Sequence, residues 1–214
     1  MVHIPLIGFE KTIVPHAICC VIGFLGLLPA GAITARYTRS VTPLWFRAHW
    51  LIQAVLAGPI IIAGVSLGAH AVKQSGTPPL ADTHKKLGIA LFVLYLAQVA
   101  GGLFVHFVKV RTFTIIGRSL QNYLHAFMGL LIIALAFYQA RLGFRVEWIT
   151  QTGRTDINLH AAEVVWIVWV IIIPVIYFTG LLLLRRQYMQ ERAALDKSQP
   201  IPDAENKVEA TNGH

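Results

Sequence analysis

Charge is what this sequence has least of. Asp, Glu, Lys and Arg make up 13% of its 214 residues, while 56% are hydrophobic. An ordinary soluble domain carries about 25% charged residues, so a water-soluble globular enzyme is excluded. Cysteine is also scarce: Cys19 and Cys20 are adjacent and lie inside an apolar run. Neighbours on a helix point in different directions, so no disulfide joins them and both read as small packing residues. There is no repeat of solenoid type and no convincing secretory signal. Glu10 and Lys11 precede the first apolar run, and Pro15, His16 and Pro29 interrupt it, so that run is expected to stay in the mature fold.

Long apolar runs are what the chain has instead. Residues 14–35, 44–71, 87–108, 122–142 and 159–184 each reach the roughly 20 residues that a bilayer crossing takes. The expected fold is an all-α membrane protein with five transmembrane helices and a four-helix core. Residues 1–12 form a short N-terminal segment and 13–186 the transmembrane domain. Residues 187–214 form a polar tail, weakly helical at its start and disordered beyond Pro200. The stretch 73–83 reads as a turn-rich loop, with Pro78 and Pro79 ending any helix. The stretch 141–158 reads as the longest loop, with Trp148 at the interface.

The net charge of +8 does not imply a nucleic-acid partner, because the basic residues cluster at the ends of the apolar runs. With five spans the termini lie on opposite sides, here A for the N-terminal side and B for the C-terminal side. Side B carries Arg36, Arg39, Arg47, Lys109, Arg111, Arg118, Arg185 and Arg186, and the tail adds Arg192 and Lys197. Side A carries Lys11, Lys73, Lys85, Lys86, Arg141, Arg145 and Arg154. The narrow excess on B makes it cytosolic under the positive-inside rule, with the N-terminus non-cytosolic.

Histidine carries the chemical signal. His16, His49, His84 and His125 each lie near the start of one of the first four spans. Successive spans start on alternate sides, so His16 and His84 lie toward A, and His49 and His125 toward B. Alternate helices of a four-helix bundle face each other, which predicts two imidazole pairs stacked along the bundle. Ionisable groups at that depth are costly and mark function. Opposed neutral imidazoles are the axial ligands of a low-spin haem. No C-x-x-C-H occurs, so two non-covalent haem b groups are expected. Gly88 and Gly129, four residues after His84 and His125, lie on the same helical faces and would admit the macrocycle. Zinc fits less well, since no cysteine or carboxylate joins the pairs. His70, His106 and His160 read as interfacial histidines, with His70 and His160 both on side A.

Basic residues near each pair would hold propionates or anionic substrates. The candidates are Arg36 and Arg118 on B, with Arg39, Lys109 and Arg111, and Lys85 on A beside Lys86. Arg118 lies two turns before His125. Gln53 and Gln98 are buried amides expected to join helices.

The segments "LLPAGAITARY" after His16, "LWFRAHWLIQ" with His49, "THKKLG" with His84 and "QNYLHAFMGL" with His125 resemble the cytochrome b561 family. The similarity is greatest to the b561 module of fungal proteins that join it to an extracellular DOMON domain. "EWITQTGR" and "VIYFTGLLLLRRQYMQE" extend it over roughly residues 12 to 192. The resemblance implies electron transfer across a membrane, with cytosolic ascorbate or a similar small reductant as donor and monodehydroascorbate or a ferric chelate as acceptor. It carries the haem ligands onto His16 with His84 and His49 with His125. The familiar animal and plant members have one more span, and no DOMON domain precedes His16. An extracellular redox partner would therefore be a separate chain or absent.

The expected mechanism is stepwise, with irons roughly 15–20 Å apart if each ligand sits one to two turns deep in a core of about 30 Å. Phe24 and Phe92 are candidates to fill the gap between them. Expected partners are the small reductant, an extracellular redox protein, membrane lipid and a second copy of the chain. Two other classes stay open: a membrane haem subunit serving such a partner, and a channel or transporter whose histidines relay protons.

Overall fold

The structure, a computed structural model, describes residues 5–6, 8–108, 114–115, 118–154 and 158–197. Among the described residues, five helices are long and apolar enough to cross a membrane: α1 (Glu10–Thr38), α2 (Trp45–Ser75), α3 (Thr83–Phe107), α4 (Leu120–Thr152) and α5 (Leu159–Gln190). The protein is an integral, multi-pass membrane protein. Large apolar side chains face outward along the helices, among them Val93, Phe127, Val165 and Leu182. In water such a surface would aggregate; in a bilayer it is the lipid contact.

Local sequence sets the helix ends. Asp82 caps α3 by accepting a hydrogen bond from the Lys85 backbone N–H at 2.8 Å, and Asn158 caps α5 through the Ala161 N–H at 2.9 Å. Gly76 (φ 67°) and Gly153 (φ 65°) end α2 and α4 in the left-handed conformation that glycine adopts without strain. Winding widens to π-helical over Val21–Leu27, Leu51–Leu56 and Gly143–Glu147, a form often found at functional sites.

One expected boundary moves. The stretch 141–158 is helical as far as Thr152, so Trp148 sits on α4 rather than in a loop. No proline interrupts residues 141–152, and the π-helical turn absorbs Gly143. Helix also continues from the fifth span through Lys197, over the part of the tail expected to be weakly helical; residues 198–214, where disorder is expected, lie outside the described residues. Between α3 and α4 a short antiparallel ladder pairs Thr114–Ile115 with Arg118–Ser119. Lys109, Arg111 and the side chain of Arg118 lie outside the described residues.

Helices α1 to α4 form the bundle. Its buried centre joins Phe24, Leu25 and Leu28 of α1, Ala57 and Ile61 of α2, Leu91 and Tyr95 of α3, and Ile132, Ala136 and Phe137 of α4. Helix α5 packs on the outside, adding Trp166, Val170 and Ile173. The Trp166 indole N–H donates to the Phe137 carbonyl and that of Trp169 to the Leu25 carbonyl, both at 2.8 Å. At end A the Arg154 guanidinium holds the Glu10 carboxylate through both oxygens, at 2.9 and 2.7 Å. The two side chains are only 9% and 6% exposed, so this ion pair ties the start of α1 to the segment after α4.

Candidate functional site

The bundle brings the four histidines together in two pairs. His16 of α1 meets His84 of α3 with ring centroids 6.4 Å apart and ring planes at 82°. His49 of α2 meets His125 of α4 at 6.4 Å and 81°. The first pair lies toward A and the second toward B, on opposite sides of the apolar centre. Phe24 lies within that centre, edge-on to Tyr95 at 6.3 Å, and Phe92 packs against it.

Hydrogen bonds orient one ring of each pair. His16 Nδ1 lies 2.7 Å from the Gly64 carbonyl oxygen, and His49 Nδ1 lies 2.9 Å from that of Gly31. A carbonyl only accepts, so Nδ1 carries the proton and the lone pair resides on Nε2. His84 Nδ1 and His125 Nδ1 are buried without a partner among the described residues. Their residues are held through the main chain: the Gln139 amide donates to the His84 carbonyl at 2.7 Å, and the Gln98 amide to the His125 carbonyl at 2.6 Å.

Glycines make room for these contacts. A Cβ at Gly68 would lie 2.8 Å from the His16 ring, one at Gly102 2.9 Å from His125 Cε1, and one at Gly143 3.2 Å from His84 Cε1. Gly88 and Gly129 face the glutamines: a Cβ there would stand 3.1 Å from Gln139 Nε2 and Gln98 Nε2 respectively. Each admits an amide from the facing helix to the histidine's own carbonyl.

Around His49 and His125 the helices part into a cavity of about 720 Å³, whose walls include Arg36, Arg39, Phe46, Gln98, His106, Gly129 and Tyr177. That is within the size range of cofactor pockets, about 300–1,000 Å³. Arg36 donates to the Tyr177 hydroxyl at 3.1 Å and lies over its ring, while Arg39 lies over Trp45. His106 is stacked on Phe46 with ring centres 3.5 Å apart, so it belongs to the cavity wall as well as to the interface expected for it. His70 and His160 are exposed on the other side.

Lys85 is engaged at end A. It bonds Asp82 at 2.8 Å and the Thr77 hydroxyl at 3.2 Å. Burial raises the Asp82 carboxyl, but its hydrogen bonds to Lys85 and the Lys85 charge outweigh this and hold it below its ordinary value. A propionate would compete with Asp82 for that ammonium group.

Fold and sites together define a multi-pass helical membrane protein with a bis-imidazole site toward each face. Comparison with known proteins then assigns the family. The family model described as eukaryotic cytochrome b561 matches residues 15–151, and the chain belongs to that family. Relatives include three cytochrome b561 and DOMON domain-containing proteins of Arabidopsis thaliana. One is 34% identical over 145 residues, covering 65% of this chain and 33% of the relative. Another is 38% identical over 91 residues (42% and 21%), and a third is 41% identical over 78 residues (34% and 18%). The chain thus spans a third or less of the length of these relatives. No solved structure matches it.

The residues fit a haem. With a metal–imidazole bond of about 2.1 Å and about 1.1 Å from nitrogen to ring centre, two imidazoles on opposite faces of one iron stand roughly 6.4 Å apart. Both pairs have that separation. No group of three or more His, Cys, Asp or Glu residues suited to a metal ion occurs among the described residues. His16 with His84 and His49 with His125 would be the residues that hold such a group, each pair supplying two imidazole nitrogens.

Sequence reasoning missed Gln139, Gly68, Gly102, Gly143 and the role of Phe46. A signal for most of them was present. Helix α3 reads His84, Gly88, Gln98, Gly102 and α4 reads His125, Gly129, Gln139, Gly143, the same H-x3-G-x9-Q-x3-G spacing twice. Likewise His16 and Gly31 in α1 repeat the spacing of His49 and Gly64 in α2. Only the antiparallel packing reveals that Gln98 with Gly102, Gln139 with Gly143, Gly31 and Gly64 each serve the histidine on the other helix.

Proposed function

We propose that this protein carries electrons across a membrane through two haem b groups, one held by His49 and His125 and one by His16 and His84. The observation that carries the reading is the pair of matched imidazole sites, each with 6.4 Å between ring centres, at opposite ends of one bundle. When bound, each haem supplies a one-electron iron couple. His16 and His49 present Nε2 lone pairs because their Nδ1–H groups donate to the Gly64 and Gly31 carbonyls. The apolar centre around Phe24, Leu91 and Tyr95 excludes water between the sites.

Side B is the cytosolic, electron-entry face. Arg36 and Arg39 in the cavity wall suit the carboxylates of propionates and an anionic reductant such as ascorbate. The acceptor on side A is monodehydroascorbate or a ferric chelate. A second reading is favoured by the DOMON-containing relatives: the chain serves as the membrane haem subunit of an extracellular redox partner.

The deciding experiment is a visible spectrum of the purified protein before and after ascorbate, with haem quantified per chain. Two haems reduced by ascorbate support the autonomous reading. Two haems that ascorbate leaves oxidised support the partner-dependent one. Protein expressed with ample haem that binds none would overturn both, leaving the histidines to proton relay or packing.

A further inference from the structure

We infer that Gln98 and Gln139 are crosswise positioning residues: each glutamine, carried on the helix of one site's histidine, sets the orientation of the histidine at the opposite site. The inference rests on the two-haem reading above. In each pair, one histidine is steered through its ring, by the Gly64 or Gly31 carbonyl. The other, His84 or His125, has no partner for its Nδ1 among the described residues. For these two, the side-chain hydrogen bond to the residue is the amide–carbonyl contact, 2.7 Å from Gln139 and 2.6 Å from Gln98.

The approach depends on glycine. In an α-helix the carbonyl of residue i already accepts from the N–H of residue i+4, which is Gly88 for His84 and Gly129 for His125. A carbonyl has a second lone pair, but a side chain at i+4 would crowd it. With a Cβ position only 3.1 Å from the amide nitrogen in both places, the absence of that side chain leaves the second lone pair open. The amide then fixes the turn on which the ligand stands. One turn beyond each glutamine, at Gly102 and Gly143, the same helix packs backbone against the ring of that same histidine. Two contacts four residues apart, on carbonyl and on ring, hold the ligand from one helix. The same arrangement, with roles exchanged, occurs at the other end of the bundle.

The test uses the full-length haem-loaded protein with Gln98→Met and Gln139→Met, which keep the bulk and remove the donor. The readouts are the low-temperature EPR signal of each ferric haem and the rate of haem transfer to excess apomyoglobin. Each EPR signal is assigned by its loss in His49→Ala or His16→Ala. Outer-shell partners of metal ligands are typically worth about 10–100-fold in affinity. Gln98→Met should shift the His49/His125 signal and speed loss of that haem by roughly tenfold, leaving the other signal in place. Gln139→Met should do the reverse, although Gln139 shares a helix with His125. Gly129→Ala crowds the Gln98 amide without touching the glutamine and should alter the same signal as Gln98→Met; it serves if that variant does not fold. Unchanged signals, equal changes in both, or a change confined to the haem of the glutamine's own helix would overturn the inference. Failure of the underlying reading would be distinct, because the unsubstituted protein would then lack two bis-histidine signals.

Discussion

Adjacent glycines in α3 should respond to the same substitution in opposite ways. A Cβ at Gly101 meets nothing within 4 Å, whereas one at Gly102 lies 2.9 Å from His125 Cε1. Replacing glycine by alanine inside a helix stabilises it by about 0.8–1.0 kcal/mol, and Gly101→Ala should gain up to that amount. Gly102→Ala gains the same backbone contribution but must also open its contact to an ordinary carbon–carbon separation of about 3.5–4.0 Å. The His125 ring edge would then move by roughly 0.6–1.1 Å, since Gly102 is fixed in the helix. Overpacking of this kind costs about 1–3 kcal/mol. The helix-propensity contribution is common to both variants, so their difference isolates the steric cost. At about 2–4 °C per kcal/mol for a chain of this size, Gly102→Ala should melt roughly 2–12 °C below Gly101→Ala. Thermal unfolding of the haem-loaded protein in detergent reads the stability, and the spectrum of the haem proposed to lie between His49 and His125 reads the displacement of the His125 ring. Equal melting temperatures with equal spectra would refute the packing argument.

Arg154→Met should destabilise strongly, by about 3–5 kcal/mol, because it removes the guanidinium that holds the buried Glu10 carboxylate through both oxygens; a variant that unfolds within about 1 kcal/mol of wild type would show that this ion pair does not hold the fold. Asp82→Ala removes the cap of α3 and should cost about 1 kcal/mol in a denaturation titration. Because the folded Asp82 carboxyl is held below its ordinary value of 3.8, its contribution is present above that value and is lost as pH falls through the lower folded one. Melting temperatures followed downward in pH should therefore show an acid-side loss that Asp82→Asn reduces. Arg36→Gln should slow reduction by ascorbate roughly 2–10-fold and flatten its salt dependence, as measured by stopped-flow; unchanged kinetics at low salt would remove Arg36 from the entry path.

How far the sequence was legible follows from the range of each interaction. Spans are visible because burying some 20 residues in hydrocarbon is a local requirement that each residue meets for itself. The histidine pairing was legible for a related reason: antiparallel spans alternate sides, so depth within a span translates into position along the bundle. Element ends were less legible. Trp148 read as a loop residue because Arg141, Arg145 and Glu147 interrupt the apolar pattern, yet the backbone continues as helix to Thr152. Charges do not end a helix; Gly153 does.

The glycines mark the boundary most sharply. That Gly88 and Gly129 share a face with the histidines followed from helical period, and their role was read as admitting a macrocycle. Their neighbours in the bundle are Gln139 and Gln98. His106 read as an interfacial residue, but the crossing of α2 and α3 stacks it on Phe46 in the cavity wall. Membrane class, number of spans and the side of each histidine were thus decided by the sequence itself, through hydropathy and depth, which are one-dimensional quantities. Which carbonyls the His16 and His49 rings bond, which amides reach the His84 and His125 carbonyls and where the cavity opens were decided by tertiary structure. Those contacts run between helices, where rotation and closeness of approach set the partner and sequence distance does not.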